Sequence, residues 1–286
     1  MSLPTISVIT PSYNAAAYLE DAVLSVNRQS DVGAEHIVID AGSSDGTLAI
    51  LERHRHLRWI SEHDHGQSDA INKGFLMATG DLVGWLNADD YYLPRGLAAI
   101  AGAAEEHPEA DVVYGDCLFV DPAGRIVRSK VEHDFDPQVL LNFGCYIPST
   151  STFFRRRLIE RGLLLDCDYR VAMDFEFFAR LARLGCSFHY VPQFIAAFRW
   201  HEDNVSLRNA DRRGVERQMV QRAAFGGELP SWLLETRRYW ARGRRLARKM
   251  LSGNIAREIR IRQKTGFDTR WMMSPELAQW QNLPSW

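Results

Sequence analysis

From Ile6 to Leu86 the chain alternates short apolar runs with helix-period patterns, and this rhythm most narrows the folds open to it. Ile6-Ser7-Val8-Ile9-Thr10 reads as a buried strand, and Leu19, Ala22, Val23 and Val26 then recur on one helical face. His36-Ile37-Val38-Ile39-Asp40 is the next strand. It runs into the turn-rich Ala41-Gly42-Ser43-Ser44-Asp45-Gly46-Thr47 and a helix reaching about Arg55. A third strand is expected over 57–60, a helix over 69–78 that stops before Gly80, and a fourth strand over 82–86. Strands spaced by helices in this way form an α/β sheet with crossover connections. Ligands of such sheets bind outside the carboxyl ends of the strands, so segments 10–14, 40–46 and 87–90 should meet in one crevice.

After Pro94 the rhythm loosens. Segments 112–116 and 118–126 read as strands around an Asp121-Pro122-Ala123-Gly124 turn, and this half is expected to shape an acceptor site. Phe175, Phe178, Ala179 and Ala182 give residues 174–184 a helical apolar face. From Leu207 the chain turns Arg-rich and aromatic, which predicts one domain over 1–206 and a helical, basic and aromatic extension over 207–286.

The balance of 34 basic against 36 acidic residues, a formal net charge of −2, argues against a surface built for nucleic acid. Cys117, Cys145, Cys167 and Cys186 form no C-x-x-C pair and read as reduced core residues of a cytosolic protein. Neither a signal peptide nor a membrane-length apolar run is expected.

The fourth strand ends on Trp85-Leu86-Asn87-Ala88-Asp89-Asp90, an apolar run stopped by an amide and two carboxylates. Hard divalent cations take oxygen ligands, and Mg²⁺ is held by one or two carboxylates together with substrate phosphates, so this cluster suits a metal-diphosphate site. A solvated turn after the strand is the alternative, since Asn and Asp favour turns.

The ordered set of signals comprises Thr10-Pro11-Ser12-Tyr13-Asn14, Asp40 before Ser44-Asp45-Gly46-Thr47, Asp69-Ala70-Ile71-Asn72-Lys73-Gly74, the 87–90 cluster, Asp174 and Arg199-Trp200-His201. In that order and spacing they resemble the family 2 glycosyltransferases of GT-A fold, inverting enzymes that use nucleotide-diphosphate sugars, and the likeness spans about residues 5–206. It implies a GT-A type, Rossmann-like mixed α/β sheet flanked by helices, carrying a C-terminal helical extension, with Mn²⁺ or Mg²⁺ as cofactor.

The resemblance gives Asp40 a hydrogen bond from the base, a carboxylate being matched to the N3–H of uracil; a turn or helix-capping aspartate is the alternative. It puts Pro11 and Tyr13 against the base beside Asn14, and Asp45 near the nucleoside. Asp69, Asn72 and Lys73 become lesser donor contacts, although Lys73 four residues after Asp69 also suits a surface ion pair. Asp89 matches the last acid of the family's D-x-D motif and is the implied metal ligand, with Asp90 as a neighbouring ligand or a supporting acid and Ala88 between. Asn87 stands where the family has its first Asp. His201 matches a histidine that some members supply to the metal.

Asp174, in Ala172-Met173-Asp174-Phe175-Glu176-Phe177, matches the catalytic base, which must take the acceptor hydroxyl's proton opposite the leaving group. Glu176 is its rival, and Met173 replaces an acid often found before the base. The donor implied is a UDP-sugar, the acceptor a glycan or lipid-linked hydroxyl in bacterial envelope or exopolysaccharide assembly, and the location cytoplasmic, up to the inner face of the plasma membrane. The rival readings are a binding or scaffold protein without turnover and a nucleotidyltransferase, the latter lacking its Gly-rich basic loop after strand one.

Arg237, Arg238, Arg242, Arg244, Arg245, Arg248 and Lys249 crowd a stretch with Trp232, Leu233, Leu234, Tyr239, Trp240, Leu246 and Met250. This pattern suits a helix lying in an anionic bilayer surface, or one packed on the catalytic domain with a solvated basic face. Trp271, Trp280 and Trp286 suit a partner or oligomer contact.

Overall fold

The computed structural model describes residues 3–265. Strands β1 (Ile6–Ser12), β2 (Ala34–Asp40), β3 (Arg58–Ser61) and β4 (Leu82–Trp85) run parallel, with β1 between β2 and β4. The helices α1 (Leu19–Asn27), α2 (Thr47–Arg53) and α3 (Gln67–Met77) join them. Every residue of β1 is buried, which explains its unbroken apolar run: a strand covered on both faces has no need of alternation. Leu19, Ala22, Val23 and Val26 are the buried face of α1, as their spacing predicts. Helix α3 approaches β1 closely because Gly74 has no side chain; a Cβ there would lie 2.4 Å from Ile9 Cγ2.

The second half follows as β5 (Tyr91–Tyr92), α4 (Gly96–Glu106), β6 (Val112–Val120), β7 (Ile126–Lys130), α5 (Pro137–Phe143), β8 (Thr152–Arg155), α6 (Arg156–Glu160), α7 (Met173–Arg183) and β9 (Phe188–Arg199). Among the described residues the strands form a nine-stranded mixed sheet in the order β3-β2-β1-β4-β8-β6-β9-β5, with β7 paired to β6. Strand β8 lies antiparallel between β4 and β6, while β9 runs parallel to β6. The break expected near Cys117 is absent. Strand β6 continues to Val120, and the turn falls where the Asp121 carboxylate accepts from the Ala123 and Arg125 amides, both at 2.9 Å.

The core is aromatic beneath the site: Trp85 stacks on Phe154 at 5.7 Å and on Phe178 at 6.4 Å, tying the end of β4 to α7.

Helices α8 (Val205–Arg208), α9 (Ala210–Phe225), α10 (Ser231–Leu251) and α11 (Asn254–Thr265) complete the described chain. The core continues across the expected boundary at 206/207, since Val220 and Ala241 belong to the cluster that holds Trp85. Of the two readings of the basic stretch, the structure favours packing, and not through a solvated basic face. Arg245 meets both oxygens of the fully buried Glu132 at 2.8 Å, and Arg244 and Arg248 converge on Asp136 at 2.6 and 2.5 Å. Lys249 pairs with Glu258, and Arg257 with the buried Asp116 at 2.5 Å. These cations are spent on the protein's own acids. Trp232, Tyr239, Leu246 and Met250 stay exposed along α10. Trp271, Trp280 and Trp286 lie outside the described residues, among which no helix is long and apolar enough to cross a membrane.

Candidate active site

The carboxyl ends of β1, β2 and β4 bring segments 10–14, 40–46 and 87–90 to one edge of the sheet, as the strand pairing requires. Asn14, with φ of 47°, turns the chain out of β1; its amide donates to Ser43 Oγ at 2.8 Å and its Oδ1 accepts from the Ser44 amide at 2.9 Å. Asp45 ties the same loops, accepting from the Ala16 and Thr47 amides at 3.0 and 2.9 Å. Pro11 is buried, whereas Tyr13 is 66% exposed and free to meet a flat ligand.

Asp40 is fully buried and largely spent on its own loop. Its Oδ2 accepts from the Gly42 and Ser43 amides and from Ser61 Oγ, and its Oδ1 from Ser43 Oγ at 2.5 Å. Its Oδ1 carries the Ser43 hydroxyl alone, which leaves that oxygen a second acceptor site. Asn72 is likewise committed: it pairs with the Leu165 amide and carbonyl at 2.8 and 2.9 Å and pins the loop before α7. Lys73 binds Glu62 at 2.7 Å and Asp69 at 3.6 Å, and Asp69 accepts from the His65 amide, so the surface ion pair is what forms there.

After β4 the acids separate by environment. Asp90 points inward, its Oδ1 accepting from the Arg199 amide and its Oδ2 from Asn87 Nδ2, both at 2.9 Å. Burial, then the neighbouring Asp89 charge, pushes its titration well above the usual carboxylate range. Asp90 therefore sits as a supporting acid, not as an outward ligand. Asn87 links it to Gln67 Nε2 at 2.7 Å. Asp89 remains partly exposed, and its Oδ2 lies 2.9 Å from His201 Nε2 and 3.1 Å from Asn204 Nδ2. Arg199 fixes this meeting of distant segments: it donates to the Asp89 and Pro122 carbonyls and to Asp21, and covers the rings of Tyr18 and Tyr91.

One carboxylate beside one imidazole is a donor set that fits Mn²⁺ or Mg²⁺ only if substrate oxygens complete the shell. Among the described residues no three His, Cys, Asp or Glu side chains gather into a group that could hold a metal ion.

Asp174 lies in the first turn of α7, half-buried. Its Oδ1 accepts from the Phe175 amide at 2.7 Å and its Oδ2 faces the Cys145 thiol at 3.7 Å. Burial raises its titration, while the Phe175 amide and the Lys130 charge restrain the rise. Glu176, the rival, is held by Arg180 at 2.7 Å.

Glycosyl transferase family 2 matches this chain over residues 7–181. The chain belongs to that family. An uncharacterized glycosyltransferase of Mycobacterium tuberculosis is 34% identical over 185 residues, covering 63% of this chain and 70% of its own. A PGL/p-HBAD biosynthesis glycosyltransferase of Mycobacterium bovis is 33% identical, with 62% and 69% covered. The chain spans only 54% of an uncharacterized Nostoc glycosyltransferase, at 29% identity over 56% of itself. Among solved structures, S. aureus TarS in complex with UDP-GlcNAc matches with TM-score 0.63 and 20% identity over 82% of this chain and 70% of that one. The mannosyltransferase PcManGT of Pyrobaculum calidifontis, in complex with GDP-Man and Mn²⁺, matches with TM-score 0.62 and 19% identity over 99% and 85%. At these identities the likeness speaks for the GT-A fold.

Within this family 2 site the sequence reading missed Lys130, Cys145, Asn204 and Glu216. Lys130 is 8% exposed on β7, and nothing local marks a strand-end lysine as buried. Glu216, on α9, accepts from the Arg170, Val171 and Ala172 amides at 3.0, 2.8 and 2.8 Å and so caps α7 from another helix. Asn204 had a signal, standing three residues after His201, whose amide donates to its Oδ1 at 2.8 Å.

Proposed function

We propose that this family 2 chain is an inverting, divalent-cation-dependent glycosyltransferase that moves a sugar from a nucleoside diphosphate, UDP-linked, to a hydroxyl of a glycan or lipid-linked acceptor in bacterial envelope or exopolysaccharide assembly. The observation that carries it is the Asp89–His201 pair at 2.9 Å, formed by residues 112 positions apart at the carboxyl end of β4. The UDP-GlcNAc and the GDP-Man with Mn²⁺ bound by the two structural neighbours support the donor and cofactor class. The PGL/p-HBAD biosynthesis in the name of the M. bovis relative supports a biosynthetic sugar transfer.

Asp89 and His201 would hold the cation, and Asp90, with Asn87 and Arg199, keeps Asp89 in place. When bound, the cation offsets the diphosphate charge in the donor and in the departing nucleoside diphosphate. Tyr13 offers the base an aromatic face, and the loop organised by Asp40, Ser43 and Asp45 borders the nucleoside. Asp174 accepts the acceptor hydroxyl's proton as the new carbon–oxygen bond forms and the bond to the diphosphate oxygen breaks, on the opposite face of the sugar. The domain division at 206/207 is kept as a division of labour: residues 1–206 carry the donor crevice and Asp174, and the helices beyond border the acceptor side. The exposed Trp232, Tyr239, Leu246 and Met250 support peripheral contact of α10 with a bilayer surface.

The test is nucleoside diphosphate release from UDP- and GDP-sugars with Mn²⁺. Release should favour UDP donors and stop on chelation. Full activity after chelation ends the cation role, and no release from any donor, with or without candidate acceptors, ends the proposed activity.

A further inference from the structure

Asp174 also borders a cavity of about 470 Å³, enclosed by the end of α5, the start of α7, and helices α9 and α10. Three arginines line it: Arg213 and Arg217, one turn apart on α9, and Arg238 on α10. Asp211 and Glu235 line it too, both exposed to solvent. Arg217 lies against Gly144, where a Cβ would come within 3.3 Å of its guanidinium carbon, and it donates to the Phe143 carbonyl. That carbonyl and glycine directly precede Cys145, whose thiol faces Asp174. Arg238 Nε is buried without a hydrogen-bond partner.

Gathering cations here is unfavourable in the free protein. Like charges four residues apart weaken a helix, and a guanidinium removed from water needs an anion to offset the loss. Arg217 shows the strain: burial first, then the charges of Arg238, Arg242 and Arg213, lower its titration to about 10. Arg244 and Arg245 of α10 meet Asp136 and Glu132, whereas Arg217 of α9 donates to a carbonyl. The guanidinium fork matches two phosphate oxygens at once.

We propose that this cavity seats a phosphate group of the acceptor, held by Arg217 and Arg238, so that the hydroxyl to be glycosylated faces Asp174. The assignment rests on the glycosyltransferase reading for its acceptor role, and on the arginine-lined cavity for its ligand. A phosphate on a soluble polyol and one on a lipid share this chemistry.

The test is calorimetric titration of the full chain with inorganic phosphate, without divalent cations, beside titration with UDP and Mn²⁺. Wild type should bind phosphate, and Arg217→Met and Arg238→Met should each weaken it at least tenfold while UDP binding stays unchanged. Arg238→Met removes a repelling charge, so its Tm should hold or rise, which separates a lost site from a lost fold. Phosphate affinity within twofold of wild type in both variants, or no binding to wild type, overturns the subsite even if sugar transfer is sound. Absence of any sugar transfer with phosphate binding intact overturns the acceptor role instead. Glycerol phosphate and vesicles carrying phosphatidic acid then compete for the site: displacement by the first points to a soluble acceptor and by the second to a lipid-linked one. Displacement by neither counts against the proposal.

Discussion

Glu216 gives the sharpest prediction about how the site is held. Ala172, at the cap position of α7, supplies no side-chain acceptor, and Glu216 takes over by receiving three consecutive amides as well as Arg212 at 2.6 Å. It is 3% exposed, so water replaces it poorly after Glu216→Ala. Loss of an ordinary helix cap costs about 0.5–2 kcal/mol, and a buried donor left bare about 1–3 kcal/mol. With three amides involved and some relaxation, roughly 3 kcal/mol is expected for Ala. Glu216→Gln, which keeps one acceptor oxygen but turns an amide donor toward N–H groups, should cost roughly 2 kcal/mol.

The pH dependence has a definite sign. Burial works to raise the Glu216 titration, but the amides of Ala172 and Arg170 and the Arg212 bond outweigh it, holding the folded value below 4.5. The stabilisation is therefore complete above the unfolded carboxylate pKa and fades as pH falls through the lower folded value. Urea denaturation at pH 7.5 and in increasing acid measures both the cost and its decline. A loss under about 0.5 kcal/mol at pH 7.5, within the usual range for an inconsequential surface change, would refute the capping argument, as would a loss that does not shrink in acid. Since Asp174 lies two residues beyond Ala172, the variants should also lose transfer rate with little change in donor binding.

Asp174→Asn should reduce transfer about 10²–10⁴-fold with donor affinity retained, the range that a missing general base leaves. Because burial raises the Asp174 titration and Lys130 restrains it, the acid limb of the wild-type rate should lie above the ordinary carboxylate range, and Lys130→Met should move it higher. Arg245→Met strands the fully buried Glu132 carboxylate and should cost about 3–5 kcal/mol in denaturation. Gly84→Ala would put a Cβ 2.6 Å from a Phe153 ring carbon between β4 and β8; overpacking of this kind costs about 1–3 kcal/mol.

The parallel half of the sheet was legible because burial leaves a local trace: β1 and β2 are apolar runs, and α1 repeats its buried residues every three or four positions. The convergence of 10–14, 40–46 and 87–90 followed from the carboxyl-end rule alone. The insertion of β8 between β4 and β6 left no such trace, since strand order is set by packing across the whole sheet. Nor could sequence tell how Asp89 and Asp90 divide their work. Both are adjacent acids, and it takes the Arg199 amide, far along the chain, together with Asn87 Nδ2 to hold one of them inward. That Asp40 also holds its own loop was not legible, because its donors Ser43 and Ser61 are ordinary loop serines in sequence. Arginines of α10 read as a solvated or lipid-facing stripe for a related reason. Charge count is local, whereas Glu132 and Asp136 precede them by more than a hundred residues.

That separation sets a timetable for biosynthesis. Glu132 and Asp136 leave the ribosome well before Arg244, Arg245 and Arg248, so a nascent chain must keep this flank hydrated until its last helices arrive. Glu216 emerges late as well, and until then the turn bearing Asp174 has no lid of its own. Completion of this flank is thus a closing event of translation, and a growing polypeptide stalled before α9 would carry its parallel strands beside an α7 whose first amides still lack Glu216.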